Sequence, residues 1–321
     1  MSQAEGSCRH AFAAALLELA RGNRQIYAVC SDSKGSAAMG DFETALPGQF
    51  VEVGIAEQDA IGIAAGLSRC GKTVFVSGPA SFYAARSLDQ VKVDVAYARS
   101  DVKVVGISGG VSYGALGSTH HSLHDIAVMR AFPGLEVFLP CDAASTAAVT
   151  DYMAGSGRPA YMRIGREAVP AVYGGSEAAA TPEFQPGRAN ILRYGDDCSI
   201  IAAGEMVKPA LDAADLLLRQ GIRARVLDCW SIKPIDEAAI EAAARETRFI
   251  ITVEEHSIHG GLGAAVAEIV VQTSPLPMKI LGFPDEWAPA GSSAELFAHY
   301  GLTAKRIASV AAELDASTRK G

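Results

Sequence analysis

The chain is expected to fold as two doubly wound α/β domains with mostly parallel sheets, on three observations. Apolar runs of strand length alternate with amphipathic stretches of helix length. The connections between them are short, as in a parallel sheet covered by helices on both faces. The alternation is interrupted once, at 173–187 (YGGSEAAATPEFQPG), where Gly, Pro and Ala occur with little periodicity, and then resumes.

These features place a first domain at 1–173, a linker at 174–187 and a second domain at 188–321. In the first, buried strands are expected at 25–31, 73–77, 102–108, 135–139 and 159–164, with helices at 8–20, 57–70, 82–97, 122–131 and 143–155. In the second, strands are expected at 199–203, 223–228, 249–253 and 278–282, and helices at 207–220, 237–244 and 262–272.

Composition narrows the class of function. Of 321 residues, 49% are hydrophobic and 20% charged, which suits sizeable packed cores and excludes a disordered chain. A net charge of −8 argues against nucleic acid or an anionic membrane as partner, although a few local basic residues can still serve a small anion. No uninterrupted apolar run reaches the roughly 18 residues of a membrane span, and the polar segment 1–10 lacks a signal peptide's apolar centre. None of the six cysteines lies in a C-x-x-C pair, so neither a zinc site nor a disulfide framework is expected, and a cytoplasmic location with reduced thiols is.

In open α/β sheets ligands bind beyond the carboxyl ends of the strands. The segments 32–40, 54–58, 78–82, 109–124 and 165–167 are therefore the informative ones, and none carries a dinucleotide or P-loop fingerprint. Glu57, in VEVGIAEQDAIGIAAGL, opens a helix that is otherwise nearly all apolar. The helix macrodipole alone would favour an acid there. Apolar surroundings also penalise an ionised carboxylate, so such an acid can be kept protonated to donate a hydrogen bond. The loop GGVSYGALGSTHHSLHDIA carries His120, His121 and His124 beside Asp125. No further ligand cluster supports a metal there, and His120 is better placed as a proton carrier or hydrogen-bond donor to a substrate.

These segments are more specific taken together. GIAEQ at 54–58 followed by AAGL, F-x-x-x-R-x-x-DQV at 82–91, GSTHHSLHDIAVMR at 117–130 and EEHSIHGGLG at 254–263 resemble the signatures of the transketolase family. The resemblance spans essentially the whole chain, as a thiamine-diphosphate-binding pyrimidine domain followed by a transketolase C-terminal domain. It implies that Glu57 matches the glutamate bonding N1′ of the cofactor's aminopyrimidine, which favours the tautomer whose nitrogen deprotonates C2 of the thiazolium. Phe82 matches an aromatic packing on the pyrimidine, and Asp32 an acid near the thiazolium. His120 matches a histidine that contacts the sugar. Arg9, Ser36 and Arg166 match positions that hold a sugar phosphate.

Three positions depart from the family pattern. Pro79 stands where many relatives have a second aromatic, Leu116 where many have an aspartate that reads a donor hydroxyl, and Ser108 where some have a phosphate-binding histidine. These departures point away from the usual pentose-phosphate substrates. The G-D-G and N-N elements by which full-length relatives bind diphosphate and a divalent metal do not occur in the sequence, and Gly195-Asp196-Asp197 reads as a turn. The resemblance therefore implies the β-type subunit of a two-chain transketolase acting on small sugar-phosphate-like substrates, with no metal site of its own. Thiamine diphosphate would be bound with Mg2+ (or Ca2+) held by an N-terminal-type partner subunit that carries those elements, and self-association as α2β2 is expected. The alternatives are the β subunit of a 2-oxoacid dehydrogenase or decarboxylase component, a deoxyxylulose-phosphate-synthase-like enzyme, and a non-catalytic regulatory partner.

Overall fold

The computed structural model describes residues 5–174 and 182–318. Half of the expected linker, and the first four residues of the expected polar N-terminus, lie outside the described residues.

The first sheet runs in the order Ser231–Lys233, Glu136–Phe138, Ala160–Ile164, Val102–Ile107, Thr73–Pro79, Ile26–Cys30, Phe50–Glu52. All its neighbours pair in parallel except Ser231–Lys233, which lies antiparallel on Glu136–Phe138. Val102–Ile107 and Ala160–Ile164 are buried along their whole length, as central strands rich in β-branched and apolar residues should be. The second sheet runs Met278–Phe283, Ile250–Ser257, Cys198–Ala202, Ala224–Asp228, Asn190–Arg193, with only the last strand antiparallel. Both sheets are thus mostly parallel α/β layers.

The helices differ from expectation in instructive places. The stretch at 82–97 is broken into Ala80–Ala85, Leu88–Gln90 and a π-helical turn, Val91–Tyr97. Ser87 Oγ donates to the Tyr83 carbonyl at 3.0 Å, a back-bond that disturbs a helical ladder at the point of the break. The helix expected at 122–131 starts only at Asp125, because Ser122 is bridged to Gly110 across the preceding loop. Helices Gly40–Ala45, Ser293–Tyr300 and Ala304–Thr318, and the edge strand Asn190–Arg193, have no counterpart among the expected elements.

The two sheets share one continuous apolar interior. Residues of both, such as Phe75, Ile200 and Ile251, belong to a single buried cluster. Trp230 leaves the second sheet to stack on Phe138 (ring centroids 5.4 Å apart), and its carbonyl accepts from the Leu139 N–H at 2.7 Å. Tyr173 OH donates to Asp228 Oδ2 at 2.7 Å across the same junction. Among the described residues no helix is long and apolar enough to cross a membrane.

Candidate active site

The parallel strands of the first sheet end on one side, and the candidate residues follow those ends. Asp32 and Ser36 come after Ile26–Cys30, Glu57 after Phe50–Glu52, and Phe82 after Thr73–Pro79. His120 comes after Val102–Ile107 and Arg166 after Ala160–Ile164, while Arg9 lies in the first turn of the helix Cys8–Gly22. Topology therefore gathers residues spread over most of the first domain at one sheet edge.

Glu57 is the first residue of the helix Glu57–Arg69 and is 5% exposed, whereas Ile55 just before it is 76% exposed. Its surroundings are not wholly apolar. Arg86 Nη1 donates to Glu57 Oε1 at 3.0 Å. Among the described residues Oε2 accepts no hydrogen bond, so one oxygen of this acid is free to share a proton. The Arg86 guanidinium also lies over the Phe82 ring, 4.0 Å from its centroid. Phe82 in turn meets the His120 ring in a T-shaped contact (5.3 Å), His120 meets Tyr113 (5.4 Å), and Arg166 lies over Tyr113 (5.6 Å). Thr119 Oγ1 is 2.9 Å from His120 Nδ1 and fixes the imidazole from its other side.

Arg9 lies near the end of this line, within electrostatic reach of Arg166 and Tyr113. Its Nη1 donates to the Ser36 carbonyl at 3.2 Å, and its charge is disfavoured first by burial and then by the like charge of Arg166. Among the described residues neither arginine forms an ion pair, and Arg9 Nε has no hydrogen-bond partner. Two neighbouring guanidiniums, the nearby Glu167 carboxylate only partly offsetting their charge, make a place for an anion. Asp32 stands apart from this line. It is exposed, takes a left-handed backbone conformation (φ 52°), and donates its N–H to Glu52 Oε1 at 2.7 Å. The same oxygen accepts from Gly54 N–H at 3.1 Å, so Glu52 ties the Asp32 loop to the turn that delivers Glu57.

Several buried polar atoms in the segments after these strands have no partner among the described residues, namely Ser81 Oγ, Ser108 Oγ and Gln90 Oε1. Ser108 is also in left-handed backbone (φ 56°), uncommon for serine. Orphaned buried groups and local strain are rare in a settled core and cluster where a ligand is received. A carboxylate on a nearly buried side chain and a half-buried aromatic ring suit a flat aminopyrimidine, so Glu57 and Phe82 fit that half of thiamine diphosphate. Among the described residues no group of three or more His, Cys, Asp or Glu is arranged to hold a metal ion. In the THH loop His121 Nε2 is tied to the Gly114 carbonyl at 3.2 Å, and Asp125 accepts from Tyr161 OH at 2.7 Å and Arg163 Nη1 at 3.4 Å.

Sequence reasoning assigns no role to Arg86, Tyr113 or Glu205. Arg86 stands in the F-x-x-x-R motif, but its pairing with Glu57 depends on two helices meeting. A cavity of about 790 Å3 between the sheets is lined by Tyr113 and Arg166 from the first domain and by Glu205 and Lys208 from the second. The Glu205 carboxyl rests against Gly165, where a Cβ would sit 1.5 Å from Oε1. Burial, then the like charge of Glu255, push Glu205 up to about 8. An acid that binds its proton more tightly when folded contributes stability below the ordinary carboxylate range and loses it as pH rises through its folded value. The wild-type melting temperature should therefore fall relative to Glu205→Gln between about pH 5 and about pH 9, by about 2–4 °C for each kcal/mol lost. Parallel melting curves for the two proteins would remove Glu205 as the cause.

The transketolase pyrimidine-binding domain matches residues 5–172, and the transketolase C-terminal domain matches 187–307. The chain belongs to the transketolase family, a family of thiamine-diphosphate enzymes. It is 55% identical over 307 residues to an apulose-4-phosphate transketolase subunit from Phocaeicola vulgatus, covering 96% of this chain and 97% of that one. It is 38% identical over 299 residues to the 6-deoxy-6-sulfo-D-fructose transketolase subunit SqwH of a Clostridium species, covering 93% and 91%. The solved structure of a split gene transketolase, an inactive beta4 tetramer, matches with a TM-score of 0.85 at 37% identity, over 96% of this chain and 97% of that one.

Proposed function

We propose that this chain is the β-type subunit of a two-chain thiamine-diphosphate transketolase that moves a two-carbon ketol unit from an anionic ketose to an aldose. The observation that carries this reading is the unbroken line of contacts from Glu57 through Arg86, Phe82, His120 and Tyr113 to Arg166, with Arg9 within electrostatic reach of its end. It joins a proton-sharing acid at one end to an anion site at the other. Thiamine diphosphate, when bound, supplies the nucleophilic carbon.

This chain's residues supply the rest. With the cofactor bound, Glu57 would share a proton with the aminopyrimidine, Phe82 would pack on that ring, and Asp32 would face the thiazolium. His120 donates to or accepts from a sugar hydroxyl. Arg9, positioned by the Ser36 carbonyl, and Arg166 hold the anionic end of the sugar. Diphosphate and Mg2+ (or Ca2+) fall to the N-terminal-type partner, and the assembly is α2β2. The division into a pyrimidine-binding unit at 1–173, a linker at 174–187 and a C-terminal unit at 188–321 belongs to the same reading. All six cysteines are free thiols, five of them buried, which supports a cytoplasmic setting.

The donor is proposed to be a branched, deoxy or otherwise modified ketose rather than xylulose 5-phosphate. Leu116, 55% exposed on the substrate loop, offers no partner to the hydroxyl an aspartate would read. A site without that partner leaves nothing buried and unpaired when a donor lacks the hydroxyl. The similarity to transketolase subunits named for apulose 4-phosphate and 6-deoxy-6-sulfofructose supports a donor of this kind. A donor panel with the reconstituted complex should place apulose 4-phosphate or 6-deoxy-6-sulfofructose above xylulose 5-phosphate in kcat/KM. Leu116→Asp should shift that ratio toward xylulose 5-phosphate by about tenfold or more, the size of one hydrogen bond to a charged group. If xylulose 5-phosphate is the best donor and Leu116→Asp changes nothing, the substrate reading is wrong.

A further inference from the structure

The loop 109–124 carries Tyr113, Leu116 and His120, and much of what holds it comes from the second unit. At its start the Val111 N–H donates to Glu255 Oε1 at 2.8 Å. At its end the Ser257 N–H donates to the Leu123 carbonyl at 3.0 Å. Between them Ser118 Oγ donates to the Ala288 carbonyl at 2.5 Å. Glu255, Ser257 and Ala288 all belong to the C-terminal unit, and the loop's own Gly110–Ser122 bridge makes it a hairpin that these bonds can seat.

Glu255 is the centre of this attachment. It is 4% exposed, and its Oε2 and main-chain carbonyl both accept from Arg163 Nη2, at 3.1 and 2.6 Å. Burial opposes the charge of Arg163, but Asp125 and Glu255 more than offset it and hold the guanidinium above its ordinary value. Arg163 also reaches Asp125, the first residue of the helix that follows the loop. One carboxylate therefore bonds the loop's first limb directly and its second limb through Arg163 and Asp125. Gly110 is required beneath it, since its φ is +60° and a Cβ there would stand 2.1 Å from the Glu255 carboxyl.

We infer that the C-terminal unit serves as the template for the substrate loop, with Glu255 as a positioning residue for the side chains that read the donor sugar. This rests on the proposed reading of that loop. The cofactor-facing pair Glu57 and Phe82 sits on other elements, so loosening the loop should impair donor recognition and leave cofactor binding alone.

The test uses Glu255→Gln in the full chain, with and without its partner. The amide keeps an acceptor for Val111 but loses the charge facing Arg163. In the complex the donor KM should rise about tenfold or more, since misplacement by about 1 Å can cost 10²-fold, while thiamine diphosphate affinity stays within about twofold. In the free chain, hydrogen exchange at 111–122 should speed up while strand Val102–Ile107 keeps its protection. Ser118→Ala, which removes only the bond at the loop's tip, should show the same pattern more weakly and serves if Glu255→Gln does not fold. An unchanged donor KM, or loosening of Val102–Ile107 in parallel with the loop, overturns the inference. If the wild-type complex transfers no ketol unit, the functional reading fails, and the exchange pattern still decides whether Glu255 seats the loop.

Discussion

Glu57→Gln should fold normally and lose activity by about 10²–10⁴-fold, the usual worth of a general acid–base group. The substitution keeps size and keeps a carbonyl oxygen to accept from Arg86 Nη1. Because the Arg86 side chain is 52% exposed, water can replace its counter-ion when the charge on Glu57 is removed, so little stability is lost. What disappears is the ability of Oε2 to share a proton. The defect should therefore appear in the first chemical step, measured as exchange of the C2 proton of thiamine diphosphate in the reconstituted complex, with melting temperature and subunit affinity unchanged. A reconstituted variant with near-normal exchange and turnover would take Glu57 out of the mechanism.

The purified chain alone, given thiamine diphosphate and magnesium, should show no ketol transfer at all. The sequence lacks the G-D-G and N-N elements for diphosphate and metal, and no metal-binding group occurs among the described residues. The surface available to a partner is apolar in part. Ile55, Ile63 (40% exposed) and Leu116 stand in solvent on the elements that carry Glu57 and His120. A cofactor held only by its pyrimidine end forgoes its strongest handle. Adding an N-terminal-type subunit of about 270 residues, the length of one missing domain, should restore transfer and give an assembly with two copies of each chain. Turnover by this chain without any partner would refute the two-chain reading, and a strictly monomeric chain at micromolar concentration, with or without the partner, would count against the assembly.

Residue pattern alone is enough to set the layers and to single out Glu57, His120 and Arg166, whereas Arg9, Asp32, Ser36 and Phe82 are marked only by the resemblance to the family. The runs at 73–77, 102–108 and 159–164 are largely apolar, and each forms a central strand, because only a strand covered on both faces tolerates so little polarity. Glu57 is legible because an acid opening an apolar helix is conspicuous, and Arg166 because it sits where a strand ends. How these residues meet is a matter of packing. Nothing local in Arg86 says that it pairs with Glu57, since that contact spans 29 positions and depends on the break near Ser87. Ser231–Lys233 is three residues long, too short for a periodic signal, and becomes an edge of the first sheet through pairing with Glu136–Phe138 and the stacking of Trp230 on Phe138. Glu255 stands within the EEH motif, yet its bond to Val111 crosses 144 positions. Periodicity reports which face of an element is buried; which partner lies opposite that face is settled only when the elements pack, and the charge pairs at the site are contacts of that second kind.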